Sequence, residues 1–442
     1  MTRILGFGMS SAFTALLRAL SLPLMGWLVA PELLAAYALW QLALGLFTML
    51  AGLGLGHALV REFHAAPVGE RSLLLAHILL VSLGAVLPIA VCAVLLSLSD
   101  SSSAYLNSNN AVLFLVAGIV LNLYITSGAQ YIRLQQWPVV YAQIQVGGSL
   151  LWLMLLISAW ILPLQLLRLE HLLLLWVIAN LLNAAWLTWV LRGDLQLINQ
   201  QRAALFTAHW RKRLRQMFRY GHPLLLSETL YWIMSALGAI LLTLWHGLET
   251  VAVYAMAVAI GSAGSMAGQV FNTVWLPEVY RSHQANSDMP WLRSAALKIL
   301  WASIVLVLLA TAGGFVFVSF LPDHYASVPY LVAATFMKPM LMALQRVTAI
   351  GIELQRTTWV SPLAMAMALT VQLLLAWWLI PLYAAAGAVI SMTLAAWLFW
   401  QLKSIASSLL WRSVGGVWFY LPMLILLLAA CGLAIAGANQ AQ

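Results

Sequence analysis

Apolar runs of about 20 residues recur along the whole chain, separated by short polar segments. A helix of this length can cross the hydrocarbon core of a bilayer. The runs lack the alternating polarity over about 10 residues that is typical of membrane-spanning strands. The pattern therefore predicts thirteen helices, at about 4–29, 34–60, 72–97, 110–130, 139–163, 170–191, 220–245, 250–277, 298–321, 328–351, 359–380, 384–402 and 415–437.

A short phrase occurs twice in the sequence, half a chain apart. Residues Glu32–Ala38 (ELLAAYA) return as Glu249–Ala255 (ETVAVYA), at an offset of 217. Residues Trp160–Leu164 (WILPL) return as Trp378–Leu382 (WLIPL), at an offset of 218. Two echoes with nearly the same offset indicate one duplicated unit, as in transporters built from two helical bundles.

The duplication predicts the fold class, an all-α polytopic membrane protein. Each copy contains six predicted helices, an even number, so both copies enter the membrane in the same direction. We expect two parallel six-helix bundles related by a pseudo-two-fold axis along the membrane normal. The predicted domains are a first bundle, a basic cytoplasmic linker, a second bundle, and a cytoplasmic loop with an extra, peripheral helix, at 1–191, 192–219, 220–402 and 403–442.

Composition excludes a soluble globular protein. The chain has 442 residues, of which 64% are hydrophobic and only 7% charged, whereas soluble domains carry about 25% charged residues. Its two cysteines, Cys92 and Cys431, both lie inside apolar runs. They are typical of small packed residues and predict neither a disulfide nor a metal site.

The positive charges predict an orientation. With the N-terminus in the cytoplasm, 18 of the 21 Lys and Arg residues fall in cytoplasmic segments, and only Arg168 falls in an external loop. The net charge of +9 is thus a signal of topology. Because these residues are scattered over several loops, they do not favour nucleic-acid binding. Seven lie between 192 and 219, where we expect the chain to follow the anionic inner leaflet.

Three ionisable residues lie inside predicted helices, where a charge costs about 2.5–3.5 kcal/mol: Arg18, Glu228 and Lys338. Arg18 belongs to a polar stripe on the first helix. The 217-residue offset maps this stripe onto the seventh helix, where it coincides with Glu228, Tyr231 and Ser235. We therefore expect both stripes to line one central cavity.

Lys338 precedes Pro339 in the tenth helix, and Gln345 lies seven residues later on nearly the same face. The predicted cavity residues are thus Arg18, Glu228, Tyr231, Lys338 and Gln345. Its net charge of +1 suits an anionic group such as a diphosphate.

Structural roles remain open for these residues. Arg18 could reach the membrane surface, and Glu228 could pair locally with Arg219 or His222. The sequence contains no metal-ligand spacing, phosphate loop or dinucleotide motif, so no metal or cofactor is expected.

Several short segments resemble a known family. They are Leu53–His64 (LGLGHALVREFH), Tyr220–Leu224 (YGHPL), Gly247–Tyr254 (GLETVAVY), Phe271–Tyr280 (FNTVWLPEVY) and Leu379–Ala388 (LIPLYAAAGA). Their order and spacing are similar to those of polysaccharide transporters, the repeat-unit flippases of the MOP exporter superfamily, over about residues 1–405. Many members carry an Asp-Arg pair in the seventh helix, where this chain has Ser235-Ala236-Leu237-Gly238.

The resemblance implies a function. Such a protein would move an undecaprenyl-diphosphate-linked oligosaccharide from the cytoplasmic to the periplasmic leaflet of a bacterial inner membrane, by alternating access. It would serve the synthesis of O-antigen, capsule or exopolysaccharide. The implied partners are the lipid-linked substrate and membrane lipids, with a polysaccharide polymerase and a chain-length regulator as further candidates.

Three alternatives stay open. An ion-coupled drug or metabolite exporter of the same superfamily would prefer an acidic cavity, and only Glu228 is acidic here. A major facilitator transporter usually carries a Gly-x3-Asp-Arg-x-Gly-Arg pattern after its second helix, which residues 61–71 lack. A membrane-bound glycosyl enzyme usually needs a large external loop, and the predicted external loops are short.

Overall fold

The computed structural model describes most of the chain, in the residue ranges 2–97, 109–161, 168–201, 207–265, 291–355, 359–412 and 417–441, with the single residues 268, 271, 275, 279, 357, 414 and 415. The helices are α1 (Thr2–Leu28), α2 (Pro31–Gly52), α3 (Leu55–Ala65), α4 (Arg71–Ser97), α5 (Asn109–Leu134), α6 (Pro138–Ile161), α7 (Leu169–Val190), α8 (Arg192–Gln200), α9 (Ala208–Trp245), α10 (Leu248–Ser262), α11 (Trp291–Phe317), α12 (Val328–Thr348), α13 (Ile350–Leu354), α14 (Val360–Leu410) and α15 (Val417–Ala441). Short 3₁₀ turns cover Val68–Glu70, Val318–Phe320 and Asp323–Tyr325.

These described ranges contain helices and no strand. Nine of their helices are long and apolar enough to cross a membrane. One of the nine, α14, joins two helices across a non-helical residue, Ala384, and so accounts for two of the predicted helices. The predicted class of all-α multi-pass membrane protein is confirmed. The second part of the predicted helix at 250–277 lies mostly outside the described residues.

The duplication predicted from the two echoes is visible in the ends of the helices. Helix α1 ends at Leu28 and α9 at Trp245, while α2 begins at Pro31 and α10 at Leu248. Both pairs of ends are 217 residues apart, which equals the offset of the first echo. The echoed phrase therefore starts a helix in each copy.

The second predicted helix, at 34–60, is broken in the structure. Leu53 and Gly54 have φ angles of 53° and 70°, in the left-handed region that interrupts a right-handed helix. A side chain on Gly54 would overlap the backbone of Gly221 in α9. Only glycine satisfies both demands at this position, because it lacks a Cβ. The break between α2 and α3 thus follows from a close approach of two backbones.

The chain divides into two compact units, residues 1–17 with 36–229, and residues 18–35 with 230–442. Helices α1 and α9 each contribute one part to each unit. In the first unit, a core of buried apolar residues is formed by α3, α4, α5, α6, α7 and the first part of α9.

In the second unit, α12 packs against α10, α11, α14 and α15. Most of its residues are buried. Helix α15 packs along α12 and α14 with one face, where Met423 and Ala434 are fully buried, while Ile425 and Leu428 are exposed. The uniform hydrophobicity of this helix gave no sign of which face is packed.

Candidate functional site

Lys338 is a buried cation at the centre of the second unit. It lies in the middle of α12, one residue before Pro339, and the helix continues through this proline. Only 8% of the residue is exposed. The neighbouring residues of α12 are mostly buried as well, so the helix shields most of this side chain from solvent.

The partners of the Lys338 ammonium are neutral. Its Nζ donates a hydrogen bond to Ser235 Oγ at 2.7 Å and lies 3.8 Å from Met392 Sδ. It also lies 5.0 Å from the centre of the Tyr231 ring, in a cation–π geometry. Within the described chain, no carboxylate forms an ion pair with it. A buried charge without a counter-ion is costly unless a ligand or a function compensates it.

The neighbouring polar groups hold this arrangement in place. Ser235 donates its own hydroxyl proton to the carbonyl of Tyr231 at 3.0 Å, so its oxygen remains an acceptor for Lys338. The fully buried Gln372 of α14 donates from Nε2 to the carbonyl of Met234 at 2.8 Å. Its Oε1 has no partner among the described atoms. Helix α9 is therefore tied to α14 beside the lysine.

The structure places the other predicted cavity residues as follows. Tyr231 lies beside Lys338, and its side chain is 41% exposed. Gln345 is half-buried on α12, two turns after Lys338. Arg18 lies in the part of α1 that belongs to the second unit, and its side chain is outside the described part of the chain.

Glu228 lies in the first unit and pairs with His57 of α3. The distance from His57 Nε2 to Glu228 Oε1 is 2.7 Å, and both side chains are almost half exposed. The partner is therefore neither Arg219 nor His222, the two neighbours that the sequence suggested. An exposed pair of this kind contributes about 0–1 kcal/mol.

Two further basic residues of the second unit, Arg346 and Lys403, are among the 18 that the sequence assigns to cytoplasmic segments. Arg346 lies in the last turn of α12, eight residues after Lys338. Lys403 is buried within α14, which runs to Leu410, past the predicted end at 402. Ser404 and Ser407, about one turn apart, are both buried, so the helix continues here as a packed element.

Among the described residues, no group of three or more His, Cys, Asp or Glu side chains could hold a metal ion.

A family model described as "Polysaccharide biosynthesis protein" matches residues 4–283, which is more than half of the chain. The chain belongs to this polysaccharide biosynthesis protein family. No curated protein matches its sequence.

Solved structures of transporters share the fold of this family member. A lipid II flippase MurJ in an inward closed conformation has 11% identity and a TM-score of 0.60, with 98% of this chain and 99% of that chain covered. The MATE multidrug transporter DinF-BH in complex with R6G has 13% identity and a TM-score of 0.62, with 93% and 95% covered. A MOP superfamily transporter from Pyrococcus furiosus has 14% identity and a TM-score of 0.56, with 92% and 95% covered.

At these identities the likeness establishes the fold. The family and the fold that the resemblance implied are both confirmed: the chain is a member of the polysaccharide biosynthesis protein family with the fold seen in MOP superfamily transporters.

Proposed function

We propose that this protein translocates an undecaprenyl-diphosphate-linked oligosaccharide from the cytoplasmic to the periplasmic leaflet of a bacterial inner membrane. The observation that carries the proposal is the buried Lys338 ammonium, which has neutral partners only among the described residues. A diphosphate is an anion that would compensate this charge when the substrate is bound. Alternating access would move the head group while the lipid tail stays in the bilayer.

The groups around the lysine suit a sugar diphosphate. Tyr231 adds a partly exposed ring and hydroxyl beside it, and two turns further along α12 Gln345 adds an amide that can both donate and accept hydrogen bonds. These groups match the hydroxyls of an oligosaccharide. The family description, which names polysaccharide biosynthesis, supports this substrate class. The similar fold of a protein named a lipid II flippase supports the flippase activity.

We propose the orientation predicted from the positive charges, with the N-terminus in the cytoplasm. Arg18 would extend the basic character of the site, as the sequence predicts. The protein would then deliver substrate to a polysaccharide polymerase and a chain-length regulator in the assembly of O-antigen, capsule or exopolysaccharide.

An ion-coupled exporter of drugs or metabolites is the second candidate, because a MATE multidrug transporter has a similar fold. A cationic drug would meet the ammonium of Lys338 and would be repelled by it. The carboxylate of Glu228 is engaged by His57. The charges near Lys338 therefore favour an anionic substrate over a cationic one.

A transport assay with purified components tests the proposal. Proteoliposomes would contain undecaprenyl diphosphate linked to a fluorescent sugar, and a membrane-impermeant reagent would report how much has crossed to the outer leaflet. We expect the wild-type protein to accelerate crossing and Lys338→Gln to reduce the rate at least tenfold. Lys298→Gln, which removes an exposed charge on α11, serves as the matched control.

Two outcomes would contradict the proposal. One is crossing at the same rate with and without the protein. The other is efflux of cationic dyes that Lys338→Gln increases, since this result would assign the protein to the drug-exporter class.

A further inference from the structure

The second unit contains another buried cation, Lys403 of α14, at the end where α12 finishes. Only 7% of this residue is exposed. Its ammonium lies 5.5 Å from the centre of the Phe399 ring. In the described part of the chain it forms neither a hydrogen bond nor an ion pair.

The polar groups next to Lys403 are engaged with one another. The hydroxyls of Thr348 and Ser404 lie 2.6 Å apart, and the backbone N–H of Gly351 donates to Ser407 Oγ at 3.0 Å. These bonds fasten the end of α12 and the short helix α13 to α14. They fix the position of Lys403 and leave its charge without a partner.

Arg346 adds a second cation at this end of α12. Its side chain is exposed. The carboxylate of Glu353 acts electrostatically on both Arg346 and Lys403. No ion pair of Glu353 with either cation occurs among the described contacts. Two cations and one separate carboxylate leave a net positive charge at this location.

We propose that Arg346 and Lys403 bind the phosphate groups of a polyprenyl diphosphate at a second station, distinct from Lys338. The inference rests on the proposed function and extends it. Arg346 lies eight residues beyond Lys338 on the same helix, about 12 Å along its axis. The substrate would thus occupy the Arg346–Lys403 station at one end of α12 and the Lys338 site at its middle.

The chemistry of the two side chains supports a phosphate ligand. The guanidinium of an arginine binds phosphate oxygens with two parallel hydrogen bonds, and the ammonium of a lysine binds them as a point charge. A phosphate could also come from an abundant anionic lipid or from solution. The test must therefore separate these sources.

Binding measurements on the full chain can do so. The protein would be placed in nanodiscs of phosphatidylcholine, and native mass spectrometry would count bound undecaprenyl diphosphate, phosphatidylglycerol or inorganic pyrophosphate. The variants are Lys403→Gln, Arg346→Gln and Lys338→Gln, with Lys298→Gln as the control for loss of an exposed charge. Arg346→Gln changes an exposed side chain, so it tests the station even where Lys403→Gln reduces folding.

We expect Lys403→Gln and Arg346→Gln each to weaken binding of undecaprenyl diphosphate about tenfold, because each removes a charge-assisted contact. Binding of phosphatidylglycerol should stay unchanged, as should every affinity of the control. Unchanged undecaprenyl diphosphate binding in both variants would overturn the inference. An equal loss for phosphatidylglycerol, or a loss seen with inorganic pyrophosphate only, would also overturn it.

The results separate this inference from the proposed function. If Lys338→Gln weakens binding while the Arg346 and Lys403 variants do not, the second station is wrong and the proposed function stands. If the wild-type protein binds no undecaprenyl diphosphate, the proposed function itself fails.

Discussion

Replacement of Lys338 by methionine should separate the function of this lysine from its contribution to stability. Methionine has a similar length, and its apolar side chain suits the buried environment in the middle of α12. If the lysine is retained for its charge, Lys338→Met should abolish transport while the protein remains folded. If it is a structural element, the same change should unfold the second unit.

The structure sets the expected magnitude. A lysine in the middle of a membrane helix costs about 3 kcal/mol on insertion scales. The charged hydrogen bond to Ser235 offsets this cost by about 2 kcal/mol. The cation–π contact with the Tyr231 ring offsets it by about 1 kcal/mol. These terms nearly cancel. We therefore expect Lys338→Met to change the free energy of unfolding by about 1 kcal/mol or less, as for other buried charges replaced by apolar residues.

A double-mutant cycle with Ser235→Ala measures the interaction directly. Ser235→Ala alone leaves the ammonium without its hydroxyl acceptor and should cost about 2 kcal/mol. In the Lys338→Met background the same change should cost about 0.5 kcal/mol, which gives a coupling energy of about 1.5 kcal/mol. Stability is measured from thermal unfolding in detergent, and transport from the proteoliposome assay.

Two results would refute this reasoning. Transport at the wild-type rate by Lys338→Met would show that the charge has no role in translocation. A loss of about 3–5 kcal/mol in the free energy of unfolding would show that Lys338 is part of a buried ion pair. That result would be inconsistent with the neutral partners described above.

Two further predictions concern the first unit. Gly221→Ala should destabilise the protein by about 1–3 kcal/mol, since the new Cβ would press on the backbone of Gly54. The control is Gly84→Ala, where no atom lies within 4 Å of the new Cβ, and its melting temperature should be equal to that of the wild type or higher. Arg213→Gln should cost about 2 kcal/mol because its partly buried guanidinium contacts two carboxylates, at 3.2 and 3.0 Å. Arg215→Gln, at an exposed position, should change stability by about 0.5 kcal/mol or less in the same thermal unfolding assay.

The existence of the helices follows from hydrophobicity, because each apolar run must satisfy its own backbone hydrogen bonds in lipid. The break at Leu53 and Gly54 could not be predicted in the same way. It depends on the contact with Gly221, 167 residues later in the sequence. A local pattern contains no information about such a distant approach.

The candidate site was likewise only partly predictable from the sequence. Lys338 was identified because a charge inside a long apolar run is unusual, and the structure places Tyr231 beside it. The partner of Glu228 was missed because His57 is 171 residues away in sequence. Lys403 was missed because the end of an apolar run is a poor guide to the end of a helix, and α14 continues to Leu410.

The internal repeat gives these charges a further meaning. At the 217-residue offset, Lys338 and Arg346 of α12 correspond to Leu121 and Ala129 of α5. Both copies therefore supply a helix at this position, and only the second copy carries the basic residues. Because a packed scaffold needs apolar residues here, as α5 demonstrates, the charges on α12 are not required by the architecture. Under the proposed function, their restriction to one copy would assign binding of the anionic part of the substrate, which must cross the apolar core, to the second unit.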